Sequence, residues 1–242
     1  MEKIMFSLWR PAQHSAESWR LSLMDLQRSL QACGASRIRV MVVDDAMDKA
    51  ASQRITFSQH PLDGMISLWL DSASMLGPVQ ALIAQQVASL HAYLVCESEP
   101  YPEERKARIA RFDAEVALGK RTPGMCQVAL FRKPVGMNFE EWMVHWREGH
   151  GSNAYPLQSI FGYRQNLVVR RLTEDAPEVH AIVEEQFPDI AIGSAHGFYD
   201  TQGDEDLLRQ RQKYMSESVT PIMDFSSLDC ILTSFYQVSA GD

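Results

Sequence analysis

The 242-residue chain lacks most of the features that announce a function. Its four cysteines, Cys33, Cys96, Cys126 and Cys230, are scattered and form no CxxC. That pattern speaks against a disulfide framework or a cysteine zinc site, and for reduced thiols in the cytoplasm. Positive charge is scarce: 23 Lys and Arg stand against 31 Asp and Glu, for a net charge of −8. With no basic stripe, nucleic acid is not an expected partner. No apolar run approaches the roughly 18 residues that cross a bilayer. The N-terminus, MEKIMFSLWR, has no apolar core of a secretory signal. HExxH, GxSxG and Walker A patterns are absent. No two histidines stand four apart, so no helical metal site is expected. Apolar residues at 45% and charged residues at 22% are ordinary for a globular protein with a real core.

What is present centres on residues 131–150, FRKPVGMNFEEWMVHWREGH. Cys126 to Phe131 has a strand's length, and Pro134 and Gly136 break it. Asn138 suits an N-cap, with Glu141 three residues on as in a capping box. Phe139, Trp142, Met143 and Trp146 then recur at helical spacing, and His150 continues the Trp142–Trp146 row. Gly149 and Gly151 are expected to stop this helix.

The chain reads as an internal repeat. IMFSLWR at 4–10 ends in Arg-Pro, and CQVALFR at 126–132 in Arg-Lys-Pro. Aligning Arg10 with Arg132 and Trp9 with Phe131, with one inserted residue, brings Trp19 to Trp142 and Leu23 to Trp146. The first half then continues as a helix over about 16–32, strands at 37–43 and 64–70, a helix from Pro78 to about Ala88, and a strand at 90–96. The second half gives strands at 163–172, 191–199 and 228–238, and a helix over about 204–220. Thr173 to Pro188 reads as an acidic connection. Each half is β-α-β-β-α-β, the ferredoxin-like order. The expected organisation is two halves, 1–100 and 122–242, joined by a charged, partly helical linker at 101–121.

Three stretches resemble the EthD family of dimeric α+β-barrel proteins. They are Arg132-Lys133-Pro134 with Phe139, Trp142, Trp146 and His150-Gly151; Tyr163-Arg164-Gln165-Asn166 with Val168; and DGMISLWLDS at 63–72. The resemblance implies an α+β fold of two tandem copies packed sheet to sheet as an intrachain pseudo-dimer. It also implies a small apolar cavity acting on a small aromatic, polyketide-like or lactone molecule of a catabolic pathway, without a cofactor. An oxidoreductase, cyclase or isomerase is implied first, and a non-catalytic binding or accessory protein second. Haem, known among related barrels, would take His150 or His196 as ligand.

His150, at a helix end that favours its protonated form, is the expected acid or base, with the cavity beside it. Gln27 takes its place in the first half, so one site per chain is expected. His196, Tyr163, Gln165, Trp146 and Phe131 are the expected substrate-binding residues. Strand alternation puts Tyr163 and Gln165 on one face and Asn166 on the other.

Overall fold

A computed structural model describes residues 1–100, 116–150 and 156–239. Eight strands close into a barrel in the order β1-β3-β2-β8-β5-β7-β6-β4. The first half supplies β1 (Glu2–Trp9), β2 (Ser36–Val42), β3 (Gly64–Leu70) and β4 (Ser89–Ser98). The second supplies β5 (Met125–Arg132), β6 (Gly162–Arg171), β7 (Ala181–Phe187) and β8 (Asp224–Gln237). Each half is a four-stranded antiparallel sheet, β4-β1-β3-β2 or β8-β5-β7-β6. The two sheets meet along β2·β8 and β4·β6, so neither keeps a free edge open to another chain. No helix among the described residues is long and apolar enough to cross a membrane.

Alternation gives every strand two buried faces. On β1, Ile4, Phe6 and Leu8 turn outward beneath helices α1 (Ala16–Asp25), α2 (Gln27–Ala32) and α3 (Leu76–Ala84). Trp19, Leu23, Leu30, Val79 and Ile83 fill that layer. Inside the barrel, Met5, Met41, Met65, Val128, Ile231 and Phe235 form a second core. One end of the interior is sealed by ions. Lys3 Nζ donates to Glu97 Oε2 at 2.5 Å, Glu184 Oε1 at 2.7 Å and Asn166 Oδ1 at 2.8 Å. Arg39 joins at Glu97, 3.1 Å away. Burial pushes the Glu184 carboxyl up, but Lys3 and Arg164 outweigh it and hold the group down at about 2.

The second half has the matching outer layer. It holds α4 (Phe139–Met143) with a π-helical continuation over Val144–His150, the short α5 (Ala195–Phe198) and α6 (Glu205–Val219). The Asn138 cap forms, accepting from Glu141 N at 2.8 Å while its Nδ2 meets Glu141 Oε2 at 3.2 Å.

Five expectations need correction. The third strand of the second half is Ala181–Phe187, not 191–199, which instead folds as a 3-10 turn (Asp189–Ala191) and α5. Thr173 to Pro188, expected as an acidic connection, contains this strand; both its faces are buried, and Glu184 and Glu185 each find their own partner. The first helix breaks at Leu26 between α1 and α2. The second begins at Leu76, with Pro78 inside its first turn. The repeat is also offset by one residue. Leu8 pairs with Gly64 as Phe131 pairs with Ala181, so Leu8 matches Phe131, and Trp9 matches Arg132. That register carries Trp19 onto Trp142 with no insertion and leaves Gln27 opposite His150. The linker expected at 101–121 falls largely outside the described residues, and so does Gly151.

Candidate functional site

The two outer layers start alike. Trp19 Nε1 donates to Gln86 O at 2.8 Å, and Trp142 Nε1 to Ile222 O at 2.8 Å. They diverge one turn later. Leu23 is replaced by Trp146, which stacks on Trp142 with centroids 4.9 Å apart and meets Phe131 edge-on at 6.0 Å. On the sheet below, the aliphatic cross-strand pair Ile4–Leu68 is replaced by Gln127–Glu185. Instead of a filled core, the second half encloses a cavity of about 270 Å³ between β5, β7, β8 and the helices.

Several polar side chains line this cavity, among them Glu185, His150, Trp146, Gln158 and Gln53. Glu185 is buried, and its Oε2 accepts from Gln127 Nε2 at 2.7 Å. Among the described residues its other oxygen has no hydrogen-bond partner. Burial pushes its carboxyl up to about 7, with the Gln127 bond opposing. His150 is 8% exposed, and its Nδ1 lies 2.9 Å from Ser218 Oγ. Burial holds its imidazole down at about 4, so desolvation overrides the helix-end effect that favours the charged form. Trp146 Nε1, Gln158 Oε1 and Gln53 Oε1 are buried and lack hydrogen-bond partners among the described residues. A buried unpaired donor or acceptor costs about 1–3 kcal/mol. A ligand carrying both an acceptor and a donor would recover that cost. Phe131, Phe198, Ile222 and Leu228 supply apolar wall. The π-helical turn that carries Trp146 and His150 is a distortion often found at functional sites.

The expected residues divide. His150, Trp146 and Phe131 line the cavity. Tyr163 and Gln165 lie buried on the same helix-covered face of the sheet, with Gln165 Nε2 donating to Tyr163 OH at 3.0 Å, but they are not part of its wall. The opposite face of β6 gives Asn166 to the ion cluster. His196 sits on α5, away from the cavity wall, held by Thr201 Oγ1 at 2.6 Å and Glu205 Oε1 at 3.2 Å. Glu185, Gln127 and Gln158 were not anticipated. Gln127 and Glu185 face one way on their strands, and pairing β5 with β7 would have brought them together.

No protein-family model matches the chain, and no curated protein does. Solved structures do match over nearly its whole length. An anthrone oxidase-like protein aligns with a TM-score of 0.55 and 8% identity, covering 99% of this chain and 94% of that one. A mutant chlorite dismutase from Candidatus Nitrospira defluvii, in complex with cyanide, aligns with a TM-score of 0.48 and 12% identity over 98% and 91%. The fold is a dimeric α+β barrel. Its two halves lie within one chain, and among the described residues no group of three His, Cys, Asp or Glu side chains is placed to hold a metal ion.

Proposed function

We propose that this chain is an EthD-like, cofactor-independent enzyme that moves a proton on a small ring-containing substrate, with chemistry of the isomerase or cyclase type. The observation that carries the reading is the buried Glu185 carboxyl, with one oxygen tied to Gln127 and the other without a hydrogen-bond partner among the described residues, beside a cavity with a largely apolar wall. A group poised near 7 can accept a proton from an acidic C–H or O–H and return it. Neutral His150 lines the same cavity, and its link to Ser218 orients the ring. Trp146 Nε1 is available to a carbonyl oxygen on which charge develops.

The cavity volume selects the substrate class. About 270 Å³ lies just below the usual 300–1,000 Å³ range for ligand pockets, and suits one or two fused rings. Haem does not fit the cavity as it stands, bounded by the rings of Phe131, Trp146 and Phe198. The second reading, a non-catalytic binder, rests on the same unpaired Trp146 and Gln158 groups, which would hold a ligand without reacting.

Kemp elimination of 5-nitrobenzisoxazole tests for the base without knowledge of the natural substrate. This bicycle loses its C3 proton to a carboxylate, its N–O bond breaks, and a coloured nitrophenolate forms. Wild type should accelerate the reaction, and Glu185→Gln should lose about 10²–10⁴ of that acceleration. Saturable binding with equal rates in both proteins would favour the binder.

A further inference from the structure

The barrel interior, which the proposed reaction does not use, ends in a second recess opposite the Lys3 ion cluster. The recess encloses about 140 Å³ and is walled by Leu62, Leu130, Tyr93 and Val179, with Ser7, Trp9 and Arg132 also on its lining. It opens into a wider bowl of about 560 Å³ lined by Arg54, His60 and Asp63, and the two share Trp9, Ser58 and His91.

The hydrogen bonds here are lopsided. Two carboxylates are engaged: Asp229 Oδ1 accepts from Phe57 N, Ser58 N and Ser58 Oγ, and Asp63 Oδ2 accepts from Arg10 N, while Glu178 at the rim is largely exposed, 3.9 Å from His180 Nε2. Asp224 pairs with Arg132 Nη2 at 3.0 Å. Ser7 is 2% exposed, and its Oγ has no partner among the described residues. Arg132 Nε, Arg54 Nε and His91 Nδ1 are likewise buried without hydrogen-bond partners among them. Arg132 Nε and Arg54 Nε can only donate, and Ser7 Oγ and His91 Nδ1 can donate as well as accept, so a ligand that brings acceptors meets all four.

We infer that the barrel mouth is a second ligand site, for a one-ring aromatic molecule bearing acceptor oxygens, as in a benzoate or an aryl carbonyl. The size agrees, since an apolar cavity of about 150 Å³ is known to take a benzene ring. The ring enters between Leu62, Leu130 and Tyr93, and the oxygens stay near Ser7 and Arg132. Trp9 forms one jamb of the mouth, edge-on to His91 with centroids 4.8 Å apart, and its Nε1 is bonded to His60 O. The Trp9 indole N–H is therefore a reporter at the door.

The test is calorimetric titration with benzoate, benzaldehyde and toluene, alongside the indole N–H resonances. Benzoate or benzaldehyde should saturate one site with Kd of about 1 mM or below. The Trp9 resonance should move while that of Trp146 stays. Toluene should bind at least ten-fold more weakly, and Arg132→Gln should weaken the oxygenated probe at least ten-fold. Between the two probes, a preference for benzoate assigns a carboxylate, and equal binding assigns a neutral carbonyl. Absence of saturable binding by both would overturn the inference. So would toluene binding equally well, or a shift confined to Trp146. If Arg132→Gln fails to fold, the wild-type preference over toluene and the indole that moves still decide the matter.

Discussion

The two outer layers of this barrel are built on one plan and differ in what they do with it. Both anchor a helix tryptophan, Trp19 or Trp142, to a carbonyl beyond the second helix. In the first half the next positions are Leu23 on the helix and Ile4 and Leu68 on the sheet, and the space is filled. In the second they are Trp146, Gln127 and Glu185, and a cavity remains. A duplicated fold can thus keep one copy as scaffold while the other gives up close packing for a polar site. Packed aliphatic surface contributes stability, and unpaired buried groups reduce it.

Exchanging the pairs is the strongest way to break this comparison. The double substitution Gln127→Ile with Glu185→Leu gives the second half the sheet residues of the first. It should remove about 10²–10⁴ of any proton-transfer rate. The fold should survive with neutral or raised stability, because both polar partners leave together. Denaturant melts beside a Kemp assay check both parts. Packing is the next test. Leu23→Ala should cost about 2–5 kcal/mol, as in a filled core. Trp146→Leu, which installs the first-half residue beside an existing void, should cost less and should widen the range of ligands accepted.

Proton linkage separates the halves by sign, since the first-half layer has no titrating group at the matching positions. The folded Glu185 carboxyl is raised from 4.5 to about 7. Its contribution is therefore fully present below about 4.5 and is lost as pH rises through about 7. The folded His150 is lowered from 6.5 to about 4. Its contribution is present above about 6.5 and is lost as pH falls toward about 4. Each slope is at most about 1.4 kcal/mol per pH unit, and between about 4.5 and 6.5 they oppose. His150→Gln should leave stability that falls as pH rises across that window, and Glu185→Gln stability that rises. Urea melts at half-unit pH steps read this directly. The smallest expected effect is that of His150→Gln at pH 8, below about 1 kcal/mol, since Gln27 already occupies the matching place.

Much of the fold was legible in the sequence because the repeated strand–Pro–Trp-helix pattern recurs in both halves and the strands are short apolar runs. The Trp142–Trp146–His150 row was legible for the same reason, as helical spacing on one face. Glu185 was not. A strand whose two faces are both buried can hide adjacent glutamates on opposite sides, one paired with Lys3 and the other at a cavity, while in sequence the stretch reads as an acidic connection. His196 misled in the opposite way: a histidine beside a glycine, expected on a strand facing the cavity, lies on the short helix α5, held by Thr201 and Glu205. The π-helical turn over Val144–His150 has no sequence signature, because a residue row reads the same at either pitch.

The account rests on Glu185 being a carboxyl shielded from water beside a ligand cavity. The most direct measurement is the carbon-13 side-chain titration of labelled glutamates, with the Glu185 signal assigned by its loss in Glu185→Gln. A midpoint near 7 that moves when 5-nitrobenzisoxazole fills the cavity is the expected result. A midpoint between about 4 and 5, unmoved by the probe, is that of a solvated carboxylate and would contradict the assignment of this half as the functional one.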